Sequence, residues 1–254
     1  MLLQHMTWRD VEAYLQARTD LLVPLGSTEQ HGPNGPIGTD AICAEAVAHR
    51  VGERAGVIVA PTLAYGQAQF NLAFPGTISA TARTLMSLIR DIVVSLAEQG
   101  FRHIYFVNGH GGNIAPAEAA FQDAYHEQRG RPQARCRLRS WWDFAEVNAM
   151  REKLYGEWEG IHATPSEISI TQAVLAAAAP ELGPRPELVP ESPALLNDHA
   201  RDRHYGQQAH RESFPDGRVG SDPWLATREA GEALLDAAAT AVAADLTAFT
   251  GEHQ

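Results

Sequence analysis

Short apolar segments alternate with amphipathic stretches along the first half of the chain. Four of the apolar segments predict buried strands: "DLLVPLG", "VIVAP", "RHIYFVN" and "ARCRLRSWW". Helical patterns lie between them, and repeated strand-then-helix units predict a parallel sheet covered by helices on both faces. We therefore expect an α/β fold with three layers, α/β/α, around a mostly parallel central sheet.

Caps and glycines mark the ends of the predicted helices. Thr7 precedes "WRDVEAYLQAR" as an N-cap, and two further helical patterns end at Gly56 and Gly100. "NIAPAEAAFQDAYHEQRG" predicts another helix before the fourth strand. The alanine-rich segment "LATREAGEALLDAAATAVAADLTAF" predicts a long closing helix packed on the outside of the sheet.

The segment from Pro180 to Pro223 differs in composition from the rest of the chain. Seven prolines interrupt it, so it predicts an irregular excursion, either a lid or an arm that reaches a neighbouring subunit. With 254 residues and 44% hydrophobic content, the chain can bury one sizeable core. We expect residues 1–254 to form a single domain.

The charge balance is acidic, with 31 acidic against 20 basic residues and a formal net charge of −11. Such a chain has no excess of positive charge for phosphates or anionic lipids, which argues against nucleic-acid and membrane partners. The two cysteines, Cys43 and Cys136, form no CxxC pattern and suit a reducing compartment. Neither a signal-peptide pattern nor a run of roughly 18 apolar residues is present, so we expect a cytoplasmic protein.

Acidic residues and histidines collect where two predicted strands end. Glu29, His31 and Asp40 follow the first strand, and His110 follows the third, within "NGHGGN". Loops at the carboxyl ends of parallel strands converge, and imidazoles with carboxylates suit borderline divalent cations. The spacing alone leaves two interpretations open, a metal site or ordinary loop residues, since Asp40 would also serve as a helix cap.

A third polar cluster lies in "WEGIHATPSEIS", residues 158–169. Pro165 suits the first turn of a helix, which places Glu167 in that turn and His162 on the loop before it. His162 is a candidate general acid/base, because its ordinary pKa lies near neutrality. A loop histidine bonded to a carbonyl is the alternative. Nearby tryptophans suit either a core or the wall of a small planar ligand's site: Trp141, Trp142 and Trp158.

The motifs resemble those of the creatininase family of metal-dependent amidohydrolases. "GSTEQHGPNGPIGTD" resembles the family's GSxEQHGPHLPLxTD, and "HATPSEIS" resembles its HAGExETS. "FPGTIS", "NGHGGN" and "GSDPWLAT" occur in the family's order, so the resemblance spans nearly the whole chain. It implies a creatininase-like α/β/α subunit that assembles into a homohexamer.

The resemblance also implies a centre of two divalent cations, zinc or manganese, with iron as a third option. Glu29 and His110 would bind one cation, His31 the other, and Asp40 would bridge both. Glu167 would lie at or just outside the metal shell and would be catalytic together with His162, which would act as a proton shuttle. The residues expected to contact a small-molecule substrate are Trp142, Trp158, Asn34 and, from the segment 65–77, Tyr65.

This chain departs from the family pattern at three places. Gly112 stands where creatinine-hydrolysing members have a glutamate ligand, which leaves the set of ligands one short. Asn34 and Gly35 replace a common histidine and leucine, and "HATPSE" replaces HAGExE, which stiffens the loop that carries His162. Creatinine itself is therefore not the expected substrate.

Three functions follow from this combination of motifs. The leading hypothesis is a metal-dependent amidohydrolase that cleaves a C–N bond in an amide, cyclic amide or formamide of a small polar substrate. The second keeps the metal centre but trims a short peptide. The third is a metal-binding protein without turnover, which the loss of a ligand at Gly112 favours and the four intact donors oppose.

Overall fold

Four parallel strands form the centre of the protein, for which a computed structural model describes residues 1–188 and 206–251. They are β1 (Asp20–Leu25), β2 (Ile58–Val59), β3 (His103–Asn108) and β4 (Arg135–Ser140), in the order β2-β1-β3-β4. The last residues of three strands are in register, because Leu25 pairs with Asn108 and Asn108 pairs with Ser140. The loops that follow β1, β3 and β4 therefore leave the sheet side by side.

Helices connect and cover these strands. In chain order, the α-helices of the described ranges are α1 (Trp8–Leu15), α2 (Thr39–Ala55), α3 (Ala82–Gln99), α4 (Ile114–Glu127), α5 (Ala145–Tyr155), α6 (Pro165–Leu175), α7 (Gln207–Ser213) and α8 (Arg228–Gly251). Short 3-10 turns lie at Leu3–His5, Gln69–Asn71, Gly111–Asn113, Gly156–Trp158, Ala176–Ala178 and Pro223–Leu225. The predicted alternation of strands and helices is confirmed.

The predicted helix ends are also confirmed. Thr7 and Asp10 form a capping box, in which each side chain accepts a hydrogen bond from the other residue's backbone N–H. Gly56 and Gly100 follow α2 and α3 with φ of 65° and 115°, a left-handed conformation that costs glycine little.

Alternating side chains of β1 separate the core into two halves. Leu21 and Val23 pack with residues of α3 and α4, whereas Leu22 packs with residues of α2 and α8 on the other face. The sheet is thus the middle layer of an α/β/α sandwich, as predicted. By length and composition α8 could cross a membrane, but it buries apolar residues such as Leu234 against that core, as a core helix of a globular protein does.

The proline-rich segment is less irregular than predicted, because it contains the helix α7. Residues 189–205 of this segment lie outside the described residues. In the part before them, Gly183 N–H donates to Asn34 Oδ1 at 3.2 Å, and Gly183 C=O accepts from Trp224 Nε1 at 2.6 Å. This stretch therefore lies against the loop after β1.

Candidate metal centre

The loop after β1 is closed by its own backbone. Glu29 N–H donates to Ile37 C=O at 2.8 Å, and Gly35 N–H donates to His31 C=O at 3.0 Å. The loop ends at Gly38, which occupies the N-cap position of α2, so Asp40 lies in the first turn with its side chain free for other contacts. These turns hold Glu29, His31 and Asp40 toward one point at the carboxyl ends of the strands.

Asp40 lies between two imidazoles at that point. His31 Nε2 is 2.9 Å from Asp40 Oδ1, and His110 Nδ1 is 3.0 Å from Asp40 Oδ2. Glu29 Oε2 is 3.4 Å from His110 Nε2, and Glu167 Oε1 is 3.6 Å from His31 Nε2. All five side chains are buried.

These donors and His162 form three overlapping groups, of which two are triads that share Asp40 and the third is Glu29, His31 and His162. The first triad is Glu29, Asp40 and His110, and the second triad is His31, Asp40 and Glu167. In each triad, one donor atom per residue lies within 4.8 Å of the other two. Both triads share Asp40, whose two carboxylate oxygens face different histidines.

Each histidine is oriented by a backbone carbonyl. His31 Nδ1 lies 3.1 Å from Glu29 C=O, and His110 Nε2 lies 2.9 Å from Gln67 C=O. Because a carbonyl accepts only from an N–H, each contact assigns a proton to one ring nitrogen and turns the other toward Asp40. Metal-binding histidines are held in this way, with the second nitrogen donating to an outer partner.

The carboxylates control protonation of these histidines. Burial opposes the charged form of His31, but the charges of Asp40 and Glu167 outweigh burial and raise its pKa to about 10. Burial likewise opposes protonation of His110, yet Glu29 and Asp40 raise its pKa to about 9. Without a cation, these carboxylates therefore draw protons onto the imidazoles.

At Glu29 and Glu167, burial outweighs the neighbouring charges. Burial raises the pKa of both carboxyl groups, that of Glu167 to about 7, although neighbouring imidazoles oppose the rise. Asp40 differs, because the two imidazoles outweigh its burial and hold its pKa well below the ordinary value. Without a cation, the charges of the centre are therefore balanced by protons on the imidazoles and on the two glutamates.

This donor set fits divalent cations. The buried Asp40 Oδ2 accepts no hydrogen bond from any described residue despite its short distance to His110. Within the described ranges, no lysine or arginine forms an ion pair with Glu29, Asp40 or Glu167. Carboxylate oxygens and imidazole nitrogens are ligands of zinc, manganese and iron.

His162 lies beside the two triads. Its Nδ1 is 3.7 Å from Glu29 Oε1, its Nε2 is 2.8 Å from Gln30 C=O, and its ring centroid is 4.6 Å from that of His31. Burial and the nearby charge of His31 lower the pKa of His162 well below its ordinary value. The ring is therefore neutral at neutral pH, with Nδ1 unprotonated because Nε2 donates to the carbonyl.

The backbone around His162 is held by residues near the end of the proline-rich segment. Ile161 N–H donates to Val219 C=O at 2.9 Å, and Ser221 Oγ donates to His162 C=O at 2.7 Å. The next residue, Ala163, has a φ of 54°, which costs a non-glycine residue conformational energy. The surrounding contacts impose this conformation on the loop.

A cavity of about 280 Å³ opens onto the centre. Asp40, His110, His162 and Glu167 line it together with Trp142. Three glycines from "GHGG" form part of the wall, so backbone is exposed to any ligand there. Further lining residues are Phe70, Trp141, Arg151, Gly160, Ile161 and Thr164.

Three of the expected substrate contacts are not among the described residues that line this cavity. Trp158 lines a separate cavity of about 270 Å³ with Phe214 and Arg218. Asn34 is buried and holds Gly183, as described above. Tyr65 is 59% exposed. Trp158 shows that packing can place residues that are near in sequence at different cavities, since Gly160 and Ile161 line the first one.

Three further residues contribute polar groups to the centre or its cavity, and the sequence motifs did not point to them individually. Asn71 is fully buried, and its Nδ2 donates to Glu29 Oε1 at 3.1 Å, while its Oδ1 accepts from Gln30 Nε2 at 2.8 Å. Gln67 contributes its backbone carbonyl to His110, and Arg151 reaches the cavity from α5. Asn71 and Gln67 fall in the 65–77 segment assigned to the pocket, but the sequence does not indicate which of its residues are buried.

The glycine at position 112 has a steric explanation. A Cβ there would lie 2.3 Å from Gln67 C=O and 2.5 Å from His110 Nε2, closer than real Cβ atoms approach other atoms. No side chain fits without displacing the 65–77 segment or His110. A glutamate at this position would therefore need Gln67 or His110 to move.

The fold and the buried donors define an α/β protein with the ligand chemistry of a hydrolytic metal centre. The family model for creatinine amidohydrolase, named Creatininase, matches residues 4–246. The chain belongs to the creatininase family, and it is a hydrolase of that family.

Curated relatives have different activities. Creatinine amidohydrolase of Pseudomonas putida is 33% identical over 181 residues, which cover 66% of this chain and 70% of the relative. The mycofactocin precursor peptide peptidase of Mycolicibacterium smegmatis is 36% identical over 176 residues, covering 65% of this chain and 67% of the relative. Family membership therefore leaves the substrate open.

Solved structures agree with the fold. A crystal structure of creatinine amidohydrolase matches with a TM-score of 0.78 and 28% identity, covering 98% of this chain and 97% of that one. A Zn-Zn form of a creatininase variant and an Mn form of creatininase each match with a TM-score of 0.77 and 28% identity, covering 98% of both chains. The predicted creatininase-like fold is confirmed.

Proposed function

We propose that this protein is a metal-dependent amidohydrolase that cleaves a C–N bond in an amide, cyclic amide or formamide of a small polar substrate. The observation that carries the proposal is the pair of donor triads that share Asp40. A carboxylate with a purely structural role does not need two sets of metal-binding side chains around it. A carboxylate that belongs to two such sets suits a pair of cations.

Each triad would hold one divalent cation. Glu29, Asp40 and His110 would bind the first, and His31, Asp40 and Glu167 would bind the second. Zinc and manganese both accept such mixed ligands, as does iron. When bound, divalent cations supply Lewis acidity and lower the pKa of water from about 15.7 toward roughly 7.

His162 would move the proton. Its Nε2 donates to Gln30 C=O, so the unprotonated Nδ1 is the atom that can accept a proton from the attacking water. The same atom would return that proton to the departing nitrogen, which converts a poor leaving group into a neutral amine. Asn71 holds the Glu29 carboxylate in place by donating to its Oε1.

The cavity sets the size of the substrate. Its volume of about 280 Å³ accommodates a small molecule or the end of a peptide. Phe70, Trp142 and Ile161 contribute apolar surface that displaces water from the reacting carbonyl. These features favour a compact amide over a folded protein as substrate.

A peptidase is the second candidate. The relative from Mycolicibacterium smegmatis supports it, because that protein is named a precursor peptide peptidase and is 36% identical. The same donors and His162 would serve a peptide bond equally well, since the bond broken is again an amide. Metal binding without turnover is the third candidate, and the buried histidine beside the triads weighs against it.

Metal analysis followed by a substrate screen tests the proposal. Protein loaded with zinc or manganese and then desalted should retain two equivalents per chain, measured by inductively coupled plasma mass spectrometry. Cyclic amides, formamides and short peptides should then be compared by release of amine. Turnover of peptides alone would replace the leading candidate by the second, and two bound cations without any turnover would support the third.

The homohexamer and the cytoplasmic location implied above remain predictions. Native mass spectrometry of the metal-loaded protein checks the first.

A further inference from the structure

Arg151 contributes positive charge to the cavity at a place separate from the donor triads. It lies on α5, and among the described residues that line the cavity it is the only lysine or arginine. No motif pointed to it, and the proposed hydrolysis does not use it. A permanent cation in a confined cavity of about 280 Å³ nevertheless selects the ligands that enter.

The guanidinium of Arg151 is held in a fixed orientation. Its Nε donates to Glu159 Oε1 at 2.9 Å, and its Nη1 donates to Asn148 Oδ1 at 2.6 Å. The guanidinium carbon lies 5.6 Å from the centroid of the Trp141 ring. These contacts leave Nη2 without an acceptor among the described residues, although the side chain is only 17% exposed.

Glu159 holds Arg151 from outside the cavity. Its carboxylate also accepts a hydrogen bond from Ser166 Oγ, and it is not among the described residues that line the cavity. The Glu159 carboxylate is thus shared between Arg151 and the loop before α6, while Arg151 is among the residues that line the space where a substrate would bind. This arrangement orients a guanidinium for a ligand, since a planar fork with a free N–H pairs well with a carboxylate.

From this geometry we infer that the substrate carries a carboxylate, which pairs with Arg151 while its amide lies at the donor triads. The inference rests on the proposed function for the position of the amide. It narrows the substrate class to amides that contain an acid group, such as N-acyl amino acids or peptides with a free C-terminus. Trp142, which lines the same cavity, would contact the apolar part between the two groups.

Two pairs of probes test the inference. Metal-loaded protein is assayed with N-formylglycine and N-formylglycinamide, which differ in one charge. Charge-assisted hydrogen bonds should give the acid an advantage of about 10- to 100-fold in kcat/KM. The dissociation constants of N-acetylglycine and N-acetylglycinamide are measured by calorimetry, so that the inference is tested even if neither formyl compound is hydrolysed.

Variants separate recognition from folding. Arg151→Gln should remove the advantage of the acid, because it raises KM for the acid more than KM for the amide, and Arg151→Lys should partly restore that advantage. Arg151→Gln/Glu159→Gln avoids a buried unpaired carboxylate and should show the same loss of selectivity. Glu159→Gln alone keeps Arg151 and should retain a preference for the acid. Thermal unfolding of each variant verifies that it is folded.

Three results would overturn the inference. One is equal binding of the acid and the amide by the wild-type protein, and another is binding of neither. The third is a preference for the acid that survives in Arg151→Gln, because the carboxylate would then be bound by a metal. Failure of hydrolysis with retained, Arg151-dependent binding would instead reject the proposed reaction and keep the recognition site.

Discussion

The two ends of β1 both carry buried carboxylates, but the groups around them differ. At the amino end, Asp20 accepts hydrogen bonds from Arg18 Nε at 2.9 Å and Nη2 at 2.7 Å, and from the Tyr14 hydroxyl at 3.1 Å. Past the carboxyl end, Glu29 and Asp40 face imidazoles, an amide and a hydroxyl instead.

The difference shows which end is built for a cation. Arg18 is a permanent cation, and although burial raises the pKa of Asp20, this partner outweighs burial and holds the pKa below its ordinary value. Asp20 is thus already neutralised. Imidazoles can lose their protons, and the carboxylates past the carboxyl end then keep negative charge that divalent cations would balance. The predictions below test this contrast, beginning with the largest effect.

Asp40→Asn should have the largest effect, because it removes the charge that both triads share. We expect loss of both cations and a fall in turnover of more than about 10,000-fold, since the pKa of water would return from roughly 7 to about 15.7. Metal content and turnover are measured on the same preparation. Asp91→Asn, at an exposed carboxylate on α3, is the matched control and should change neither. Retained turnover in Asp40→Asn would contradict the shared role.

His162→Ala should rank second. Loss of a positioned acid/base lowers turnover about 100- to 1,000-fold, and both cations should remain because His162 belongs to neither of the two triads that share Asp40. The control is His126→Ala at an exposed site on α4. Loss of metal from His162→Ala would make this residue a ligand through its contact with Glu29.

Gly112→Ala should have a smaller effect that acts through His110. The added Cβ would meet both His110 and the Gln67 carbonyl, which forces the imidazole away from its position. We expect metal affinity to fall about 10- to 100-fold, the range found when partners that orient ligands are lost. Competition with a metal-binding dye measures this affinity. Gly206→Ala, where nothing lies within 4 Å of an added Cβ, should bind metal normally.

Asp20→Asn should affect stability and leave activity unchanged. Arg18 is partly exposed, so we expect a loss of about 1–2 kcal/mol in the free energy of unfolding at pH 7. Because the folded-state pKa of Asp20 is depressed, the contribution is present above its unfolded pKa of about 3.9 and is lost as pH falls through the lower folded value. Urea unfolding of both proteins between pH 7 and pH 3 measures it. A difference at pH 3 as large as that at pH 7 would show that charge is not the cause.

Much of the fold was predictable because its signals are local. Caps such as Thr7, glycines such as Gly56 and short apolar runs determine where helices and strands begin and end. The helix α7 was missed because it has seven residues within a proline-rich segment, where neither periodicity nor length distinguishes it from a loop.

The candidate site was predictable only in part, for a related reason. Glu29, His31 and Asp40 share one loop, and strand register brings His110 to the same place, so a short motif and one rule of topology suffice. Asn71 and Arg151 reach the centre and the cavity through packing between distant segments, which no local pattern encodes. Trp158 is close to His162 in sequence but lines a separate cavity, so closeness in sequence does not determine which cavity a side chain lines.

The hydrogen bonds from Val219 and Ser221 to the backbone of His162 limit how far the chain can be shortened from its C-terminal side. A fragment that ends before residue 217 would retain every metal donor, since the last of them is Glu167. It would lack the residues that keep Ala163 left-handed and His162 in place. Such a fragment would keep the candidate metal donors but lose the contacts that position His162, the proposed acid/base, because those contacts come from the last part of the chain.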